Sequence, residues 1–589
     1  MKNNRMFFED EKVQIKFNFK YLIRILRYAF PYKFWIGIIF LCLLGLSVIE
    51  LIIPLFESSI IEKVVPSGKY TQLVTILVVI AILEVLKCLL DIFQNYISYK
   101  YEHKIMYTIR KDLFDKLQKL YFDYFDKVPS GKILVRLTSY VNQLNGYFAY
   151  YAIRSIFSFL KILLVVIFAF RINVIFTLIV IGYMTLLAIV AIGMRSLMKE
   201  KNRIHKNKNS NRVAFVSETI NGNTVSNAFE KKEANAKTFK ELNDLSKNSY
   251  YEVVKLREKY NAAISIIWNS INLTLYTTAF FLMLKGEPVL GAILAFSSYT
   301  DLFYDPIMLI IEALQIFSEK SVNLERMFEL LDYPISVKEK ENAYPLPPIS
   351  GNIKYDNITF SYDQSFTVLE NFSLDVSAGQ MIALVGPTGA GKSTVVNLLN
   401  RFYDPNKGDI YIDGHNIKDV TTHSLRKQVG MMMQDSFIFR GTIIDNIRYG
   451  SPNATDEQCI EAAKKIGADQ LIESLPHGYY EKVGENGEGL SSGEKQLICF
   501  ARIILNDPKV LILDEATSSI DSLTEKKVMA ALDVITKGRT CFVIAHRLST
   551  IRKADKILVI NNKGIQEQGT HEQLMKLKGH YYKLVNHQM

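Results

Sequence analysis

Two domains of different kinds are predicted in tandem: an α-helical domain that crosses a membrane six times over residues 34–332, and an α/β domain over residues 351–589. Three observations predict this. Nearly all the long apolar runs fall between residues 34 and 312. The remainder alternates short buried-strand runs with helical patterns, as a parallel sheet covered by helices does. Within that remainder the apolar run Met381-Ile382-Ala383-Leu384-Val385 feeds a glycine-rich turn, Gly386-Pro387-Thr388-Gly389-Ala390-Gly391-Lys392-Ser393-Thr394.

At 589 residues the chain exceeds what one core supports. Its 49% apolar content and mean hydropathy of +0.10 are high for a soluble enzyme and reflect the uneven composition. A net charge of +11 would suit nucleic acid, but the Lys and Arg crowd beside apolar spans. That pattern fits an anionic membrane surface, so a lipid bilayer is the expected partner and nucleic acid is not. Cys42, Cys88, Cys459, Cys499 and Cys541 show no metal-ligand spacing, which fits a reduced intracellular setting. The first thirty residues are polar and charged, without the apolar core of a cleavable signal.

Residues 1–33 form an N-terminal segment in which Phe19, Leu22, Ile23, Leu26 and Phe30 stripe one face against Lys20, Arg24 and Arg27. Such a helix lies along a membrane surface, and Pro31 ends or bends it. Six apolar segments follow, at about 34–56, 73–97, 148–170, 174–194, 262–284 and 291–313. Each is near the length that crosses a bilayer. The connections at 171–173 and 285–288 are tiny, whereas 98–147 and 195–261 are long, helical in pattern and rich in Lys and Arg. Positive connections mark the cytoplasmic side, so both termini and the second domain are expected inside.

Glu84, Lys87 and Asp91 share one helical face of the second segment, at a cost of about 8–10 kcal/mol near a bilayer centre. That face should turn toward other helices or a wet cavity. Glu50, Arg154, Lys161, Asp301 and Glu312 invite the same reading: pairing inside the bundle, with cargo contact as the alternative. Tyr121–Asp126 and Glu218–Glu230 interrupt the long connections at turning points, and the proline-rich stretch 333–350 is the linker between domains.

In the second domain, Ile353-Lys354-Tyr355 and Ile358–Tyr362 read as early strands, with Tyr362 suited to stacking on an adenine ring. Strand, glycine turn and helix (residues 395–402) together make G-x-x-x-x-G-K-[ST] a credible phosphate cradle. Lys392 would reach the terminal phosphates of ATP and Ser393 would place its hydroxyl on Mg²⁺. A second buried run, Val510–Leu513, ends in Asp514 and Glu515. Asp514 would hold the Mg²⁺ shell and Glu515 would polarise the attacking water. A third run, 541–545, delivers His546 to the same edge. The segment 431–435 carries Gln434, and Gly487–Gln496 opens a helix whose N-terminus could bind an anion.

Taken together these motifs make the chain resemble an ATP-binding cassette (ABC) exporter half-transporter, with an ABC-type P-loop NTPase domain fused behind the membrane domain. The likeness runs from about Phe17 to the C-terminus. It implies that residues 386–394 are the Walker A loop, and that Val510–Glu515 is the Walker B strand with Glu515 as catalytic base. It further implies Tyr362 as the A-loop aromatic, Gln434 as a Mg²⁺-contacting Q-loop glutamine, Asp521 as the D-loop aspartate and His546 as the switch histidine. Residues 490–496 resemble the signature, with Ser491 and Gly493 meeting the ATP of a second subunit. Val483-Gly484-Glu485 resembles the exporter X-loop, and the segments near 122–125 and 222–229 resemble coupling helices.

The signature departs from the family's L-S-G-G-Q, reading Leu490-Ser491-Ser492-Gly493-Glu494. Ser492 adds a side chain and Glu494 a negative charge where the γ-phosphate should lie. This resembles heterodimeric exporters with one weakened ATP site, so a second, different half-transporter is the expected partner, with a homodimer as the alternative. ATP-driven efflux is the implied activity; an ATP-gated channel is the rival, and the intact Glu515 and His546 argue against it.

Overall fold

The computed structural model describes residues 19–589 apart from 287–288, 364–365, 434–435, 515–521, 546–547 and 588–589. The chain forms two compact units, one of residues up to 118 together with 130–333, the other of residues 119–129 together with 334–589.

In the first unit, α1 (Phe19–Ala29) is the amphipathic helix, and a single 3-10 turn at Phe30–Tyr32 carries Pro31. Then come α2 (Lys33–Ser59) and α3 (Tyr70–Gln118). In the second unit lies the short α4 (Phe122–Lys127), after which the chain re-enters the first with α5 (Ser130–Leu137), α6 (Ile153–Ile172), α7 (Val174–Asn221), α8 (Asn223–Ala228), α9 (Lys232–Leu284) and α10 (Leu290–Asp332). The helices α3, α7 and α9 hold 49, 48 and 53 residues. At 1.5 Å per residue each is about 70–80 Å long, more than twice a hydrocarbon core, so each continues well beyond it.

Five helical stretches among the described residues are long and apolar enough to span a membrane. The sixth predicted span, in α10, is not one of them, because Asp301, Asp305 and Glu312 interrupt its apolar run. Other charges placed in the spans are paired. Lys161 Nζ of α6 lies 2.8 Å from Glu50 Oε2 of α2, and Arg154 lies 3.7 Å from Asp91 and donates to Asn95 at 2.8 Å. Within this unit a cavity of about 730 Å³ is lined by Glu50, Arg154, Lys161, Arg257, Asp305 and Glu312 among apolar side chains.

The connection predicted at 171–173 is tighter still: Asn173 alone separates α6 from α7. Its extended backbone reverses the chain, and its Oδ1 accepts from the N–H groups of Ile175 at 2.9 Å and Phe176 at 3.1 Å. The cap satisfies two of the first N–H donors of α7, which have no partner within the helix. From there Phe176, Val180, Met184 and Leu187 form a buried stripe at helical spacing.

The second unit holds β1 (Ile353–Phe360), β2 (Leu369–Val376), β3 (Met381–Val385), β4 (Lys407–Ile412), β5 (His415–Asn416), β6 (Val429–Met432), β7 (Val510–Asp514), β8 (Thr540–Ile544), β9 (Lys556–Asn561) and β10 (Gly564–Gly569). The first of these, predicted as two strands, is one strand whose register shifts around Asn357, a residue at φ 53°. A four-stranded antiparallel sheet has the order β2-β1-β4-β5, and a six-stranded sheet the order β10-β9-β3-β8-β7-β6. The larger sheet is parallel except for β9–β10. Parallel strands need helical crossovers and are buried on both faces, which accounts for the unbroken apolar runs of β3, β7 and β8.

Among its helices are α11 (Lys392–Leu399), α12 (Thr422–Gln428) and α13 (Ser492–Asn506). Predicted over 395–402, α11 starts and stops three residues earlier. Gly391 is its N-cap, and Arg401 turns out of the helix at φ 50°. That arginine is 1% exposed. Its guanidinium donates to the carbonyls of Ile417, Val420 and Lys338 at 2.9–3.1 Å and meets Asp404 at 3.1 Å. Burying a charge demands such saturation. The proline-rich stretch is thereby pinned to this unit, where Tyr344 also bridges Val420.

Candidate active site

The larger sheet sets the geometry. Leu384 of β3 pairs with Ile544 of β8, and Ile544 pairs with Asp514 of β7. The glycine loop after Val385, the carboxylate of Asp514 and the chain leaving β8 therefore share one edge, where open α/β sheets bind ligands. Gly386 sits at φ 150°, and a Cβ there would lie 2.2 Å from the Ile560 carbonyl oxygen. At φ 103° Gly391 leaves only 3.2 Å to the side chains of Val368 and Leu369 for a Cβ. Gly389 is also left-handed but faces open space. Pro387, Thr388 and Ser393 are exposed, and Ala390 is half-buried.

Lys392 opens α11 yet is only 8% exposed. Its ammonium donates to the carbonyls of Gly386 at 2.8 Å and Pro387 at 3.0 Å, bridging the loop it follows. Burial lowers its pKa from the ordinary lysine value, while the Asp514 carboxylate pulls it back up. A buried cation at the start of a helix that follows a glycine loop is suited to polyphosphate. Thr394 is buried and its hydroxyl lies 3.0 Å from that of Tyr362. The Tyr362 ring, 41% exposed, stands edge-on to Phe360 and Tyr403 at centroid distances of 4.9 and 5.0 Å. It leaves aromatic surface for a stacking partner.

Ser491 is the N-cap of α13. Its hydroxyl accepts from the Glu494 N–H at 3.3 Å, and its own N–H donates to Glu494 Oε2 at 2.7 Å. The departure at Glu494 is thus one half of a capping box. Ser492 is exposed and Gly493 buried. Among the hydrogen bonds of the described residues none joins Ser491 or Gly493 to the 386–394 loop. Gln434, Glu515, Asp521 and His546 lie outside the described residues.

Sequence reasoning missed the surroundings of Tyr362. Its neighbour Tyr403 is 7% exposed and donates to Asp126 in the segment carrying α4. Beside it Phe122 stacks on Phe402, with centroids 4.1 Å apart and planes at 24°. The dense aromatic and acidic run 121–126 was the available signal.

Residues 369–518 match the ABC transporter family and residues 36–307 match the ABC transporter transmembrane region. An ABC transporter ATP-binding protein of Bacillus subtilis, YknV, is 34% identical over 582 residues, covering 98% of this chain and 96% of its own length. Another from Bacillus subtilis, YgaD, named for multidrug export, is 33% identical and covers 95% of this chain and 97% of its own. Among solved structures, a bacterial Atm1-family ABC exporter with ATP bound superposes with a TM-score of 0.78 at 26% identity, covering 94% of this chain and 97% of that one. With a helical membrane region ahead of a P-loop sheet in one polypeptide, the chain belongs to the ABC transporter family, and it is a multi-pass membrane protein that couples ATP hydrolysis to export.

Proposed function

We propose that the chain is one half of a dimeric exporter of the bacterial cell membrane, with both termini and residues 351–589 on the cytoplasmic side. Lys392 carries this reading: a lysine almost fully buried behind a loop whose Gly386 has no room for a Cβ, at the edge where Asp514 ends its strand. The loop 386–394 holds the phosphates of ATP, and Lys392 exchanges its two backbone carbonyls for phosphate oxygens. Tyr362 stacks on the adenine. Ser393, Asp514 and Gln434 would hold Mg²⁺, which when bound would neutralise charge on the β- and γ-phosphates. Glu515 orients the attacking water and takes its proton, and His546 contacts the γ-phosphate. Ser491, Gly493 and Asp521 complete the ATP site of the second half.

Cargo would occupy the cavity between the helices of the membrane unit, where charged and apolar lining side chains mix. Relatives named for multidrug export support an amphipathic cargo. ATP-driven closure moves the equilibrium only as far as ATP binds the closed state better than the open one. A different half-transporter as partner remains the reading that Ser492 supports. Glu494 supports it less, since its carboxylate is held back in the cap of α13. Purification of the tagged chain, with identification of what co-assembles, decides between the two dimers.

Reconstitution into vesicles tests the function. A pump accumulates cargo against its gradient with ATP, and Glu515→Gln should bind ATP while abolishing both turnover and uphill transport. Downhill flux alone, unaffected by that substitution, would make the protein a channel.

A further inference from the structure

The fold ties the residues around Tyr362 to a segment that the sequence assigns to the membrane half. Residues 119–129 belong to the compact unit of the nucleotide domain, although α3 runs into them at Gln118 and α5 leaves them at Ser130. Tyr403 makes the link. Its hydroxyl donates to Asp126 Oδ2 at one end of α4, while its ring edge meets the Tyr362 ring at 5.0 Å and 89°. Tyr362 in turn shares a hydrogen bond of 3.0 Å with Thr394, two residues past Lys392. Burial, then the Asp126 carboxylate, push the Tyr403 phenol above its ordinary range, so it remains a donor at any physiological pH.

The corner holding Tyr403 is stiff. α11 runs from Lys392 to Leu399, and the next turn is fixed by Phe402 N–H donating to Asn397 O at 2.9 Å and by the four-bonded Arg401. A second contact pins the same corner: Phe122 stacks on Phe402, and the Arg426 guanidinium covers Phe402 at 5.1 Å and Tyr121 at 5.3 Å. One helix therefore carries the phosphate-binding lysine at its start and the α4 contact just beyond its end. Of the two contacts, only the Tyr403–Asp126 bond continues to the ring proposed for the adenine.

We propose that Tyr403 is a positioning residue that couples the placement of residues 121–127 to the adenine-side affinity of the ATP site, through Tyr362. This rests on the reading of residues 386–394 as that site. The phosphate contacts anchor ATP in every state of the dock, whereas the base contact strengthens or weakens with it. Linkage is reciprocal: if docking tunes ATP affinity, ATP must tune docking by the same factor.

The test uses the full-length protein in nanodiscs with its native assembly. Tyr403→Phe keeps the ring and its packing while removing the donor. Asp126→Ala removes the acceptor, and Asp126→Asn returns an acceptor oxygen. The expected result for Tyr403→Phe is a rise in the KM for ATP of about 5-fold, the low end of allosteric couplings, with a smaller change in kcat. Asp126→Ala should match it, Asp126→Asn should restore part of the loss, and the double variant Tyr403→Phe/Asp126→Ala should be no worse than either single one. Saturating ATP should slow hydrogen exchange at the amides of 121–128 in the wild type and not in Tyr403→Phe. An unchanged KM, additive effects in the double variant, or ATP-dependent protection that survives in Tyr403→Phe would overturn the proposal. Failure of the wild type to bind ATP would instead overturn the reading of the site.

Discussion

Gly386 allows the sharpest test of the proposed phosphate loop. A Cβ at this position would lie 2.2 Å from the carbonyl oxygen of Ile560. That oxygen belongs to β9, held in parallel register with β3 through pairs such as Val559 with Val385, so it cannot retreat without breaking the ladder. Ordinary contact would need roughly 1 Å more. Relieving such overlap in a packed region costs about 1–3 kcal/mol, and the left-handed backbone adds about 1–2 kcal/mol for any residue with a Cβ. Gly386→Ala should therefore cost about 2–5 kcal/mol in all. Gly389→Ala meets open space and costs only the backbone term of about 1–2 kcal/mol. If the loop moves to relieve the strain, the cost appears as lost affinity, tenfold for every 1.4 kcal/mol. Titration of a fluorescent ATP analogue against the full chain should give a loss of at least about 30-fold for Gly386→Ala, and clearly less for Gly389→Ala. Equal affinities for the two variants, with unchanged unfolding temperatures, would refute the steric argument.

Other substitutions probe other parts of the molecule. Glu494→Gln should leave the unfolding temperature unchanged, because glutamine serves equally well in a capping box, whereas Glu494→Ala should cost about 0.5–1 kcal/mol of helix-cap stability, seen as a lower midpoint. Glu50→Ala leaves Lys161 without its 2.8 Å partner in a largely buried setting and should destabilise the membrane unit by about 1–3 kcal/mol. Replacing both residues by methionine should recover most of that in a detergent thermal-stability assay. At Asp413, burial pushes the carboxyl up, but N–H donation from Gly351, Asn352 and Ser350 outweighs it and holds the group below the usual carboxylate value. Its stabilisation is complete above the unfolded value of about 4 and is lost as pH falls through the folded one. The gap in melting temperature between wild type and Asp413→Ala should therefore narrow on acidification from pH 7 to 3.5.

What the sequence made legible was whatever repeats or runs. Apolar stretches of span length marked the membrane helices, and unbroken β3, β7 and β8 marked a sheet buried on both faces. The glycine loop was readable because glycines at fixed spacing mark backbone that a Cβ would obstruct, as one would at Gly386. Contacts between residues far apart were not readable. Nothing local announces that Arg401 is buried under Lys338 and Val420, or that Asp126 meets Tyr403, 277 positions away. At Glu494 the missing step was local: Ser491 followed three residues later by Glu494 is a capping-box pattern, and its charge was read before its geometry. The sixth expected span was the least legible: in α10 Asp301, Asp305 and Glu312 break up the apolar run that marks the other five stretches.

The single residue between α6 and α7 restricts how this region can vary. A connection of one residue has no slack, so an added or deleted residue that is taken up as helix turns α7 by about 100° about its axis. Phe176, Val180, Met184 and Leu187, each at most 5% exposed, would swing together out of the core. Homologues that differ in length should therefore place their indels elsewhere, and an epitope tag inserted at this tip should abolish assembly, whereas the exposed turn at Gly68-Lys69 before α3 should accept one.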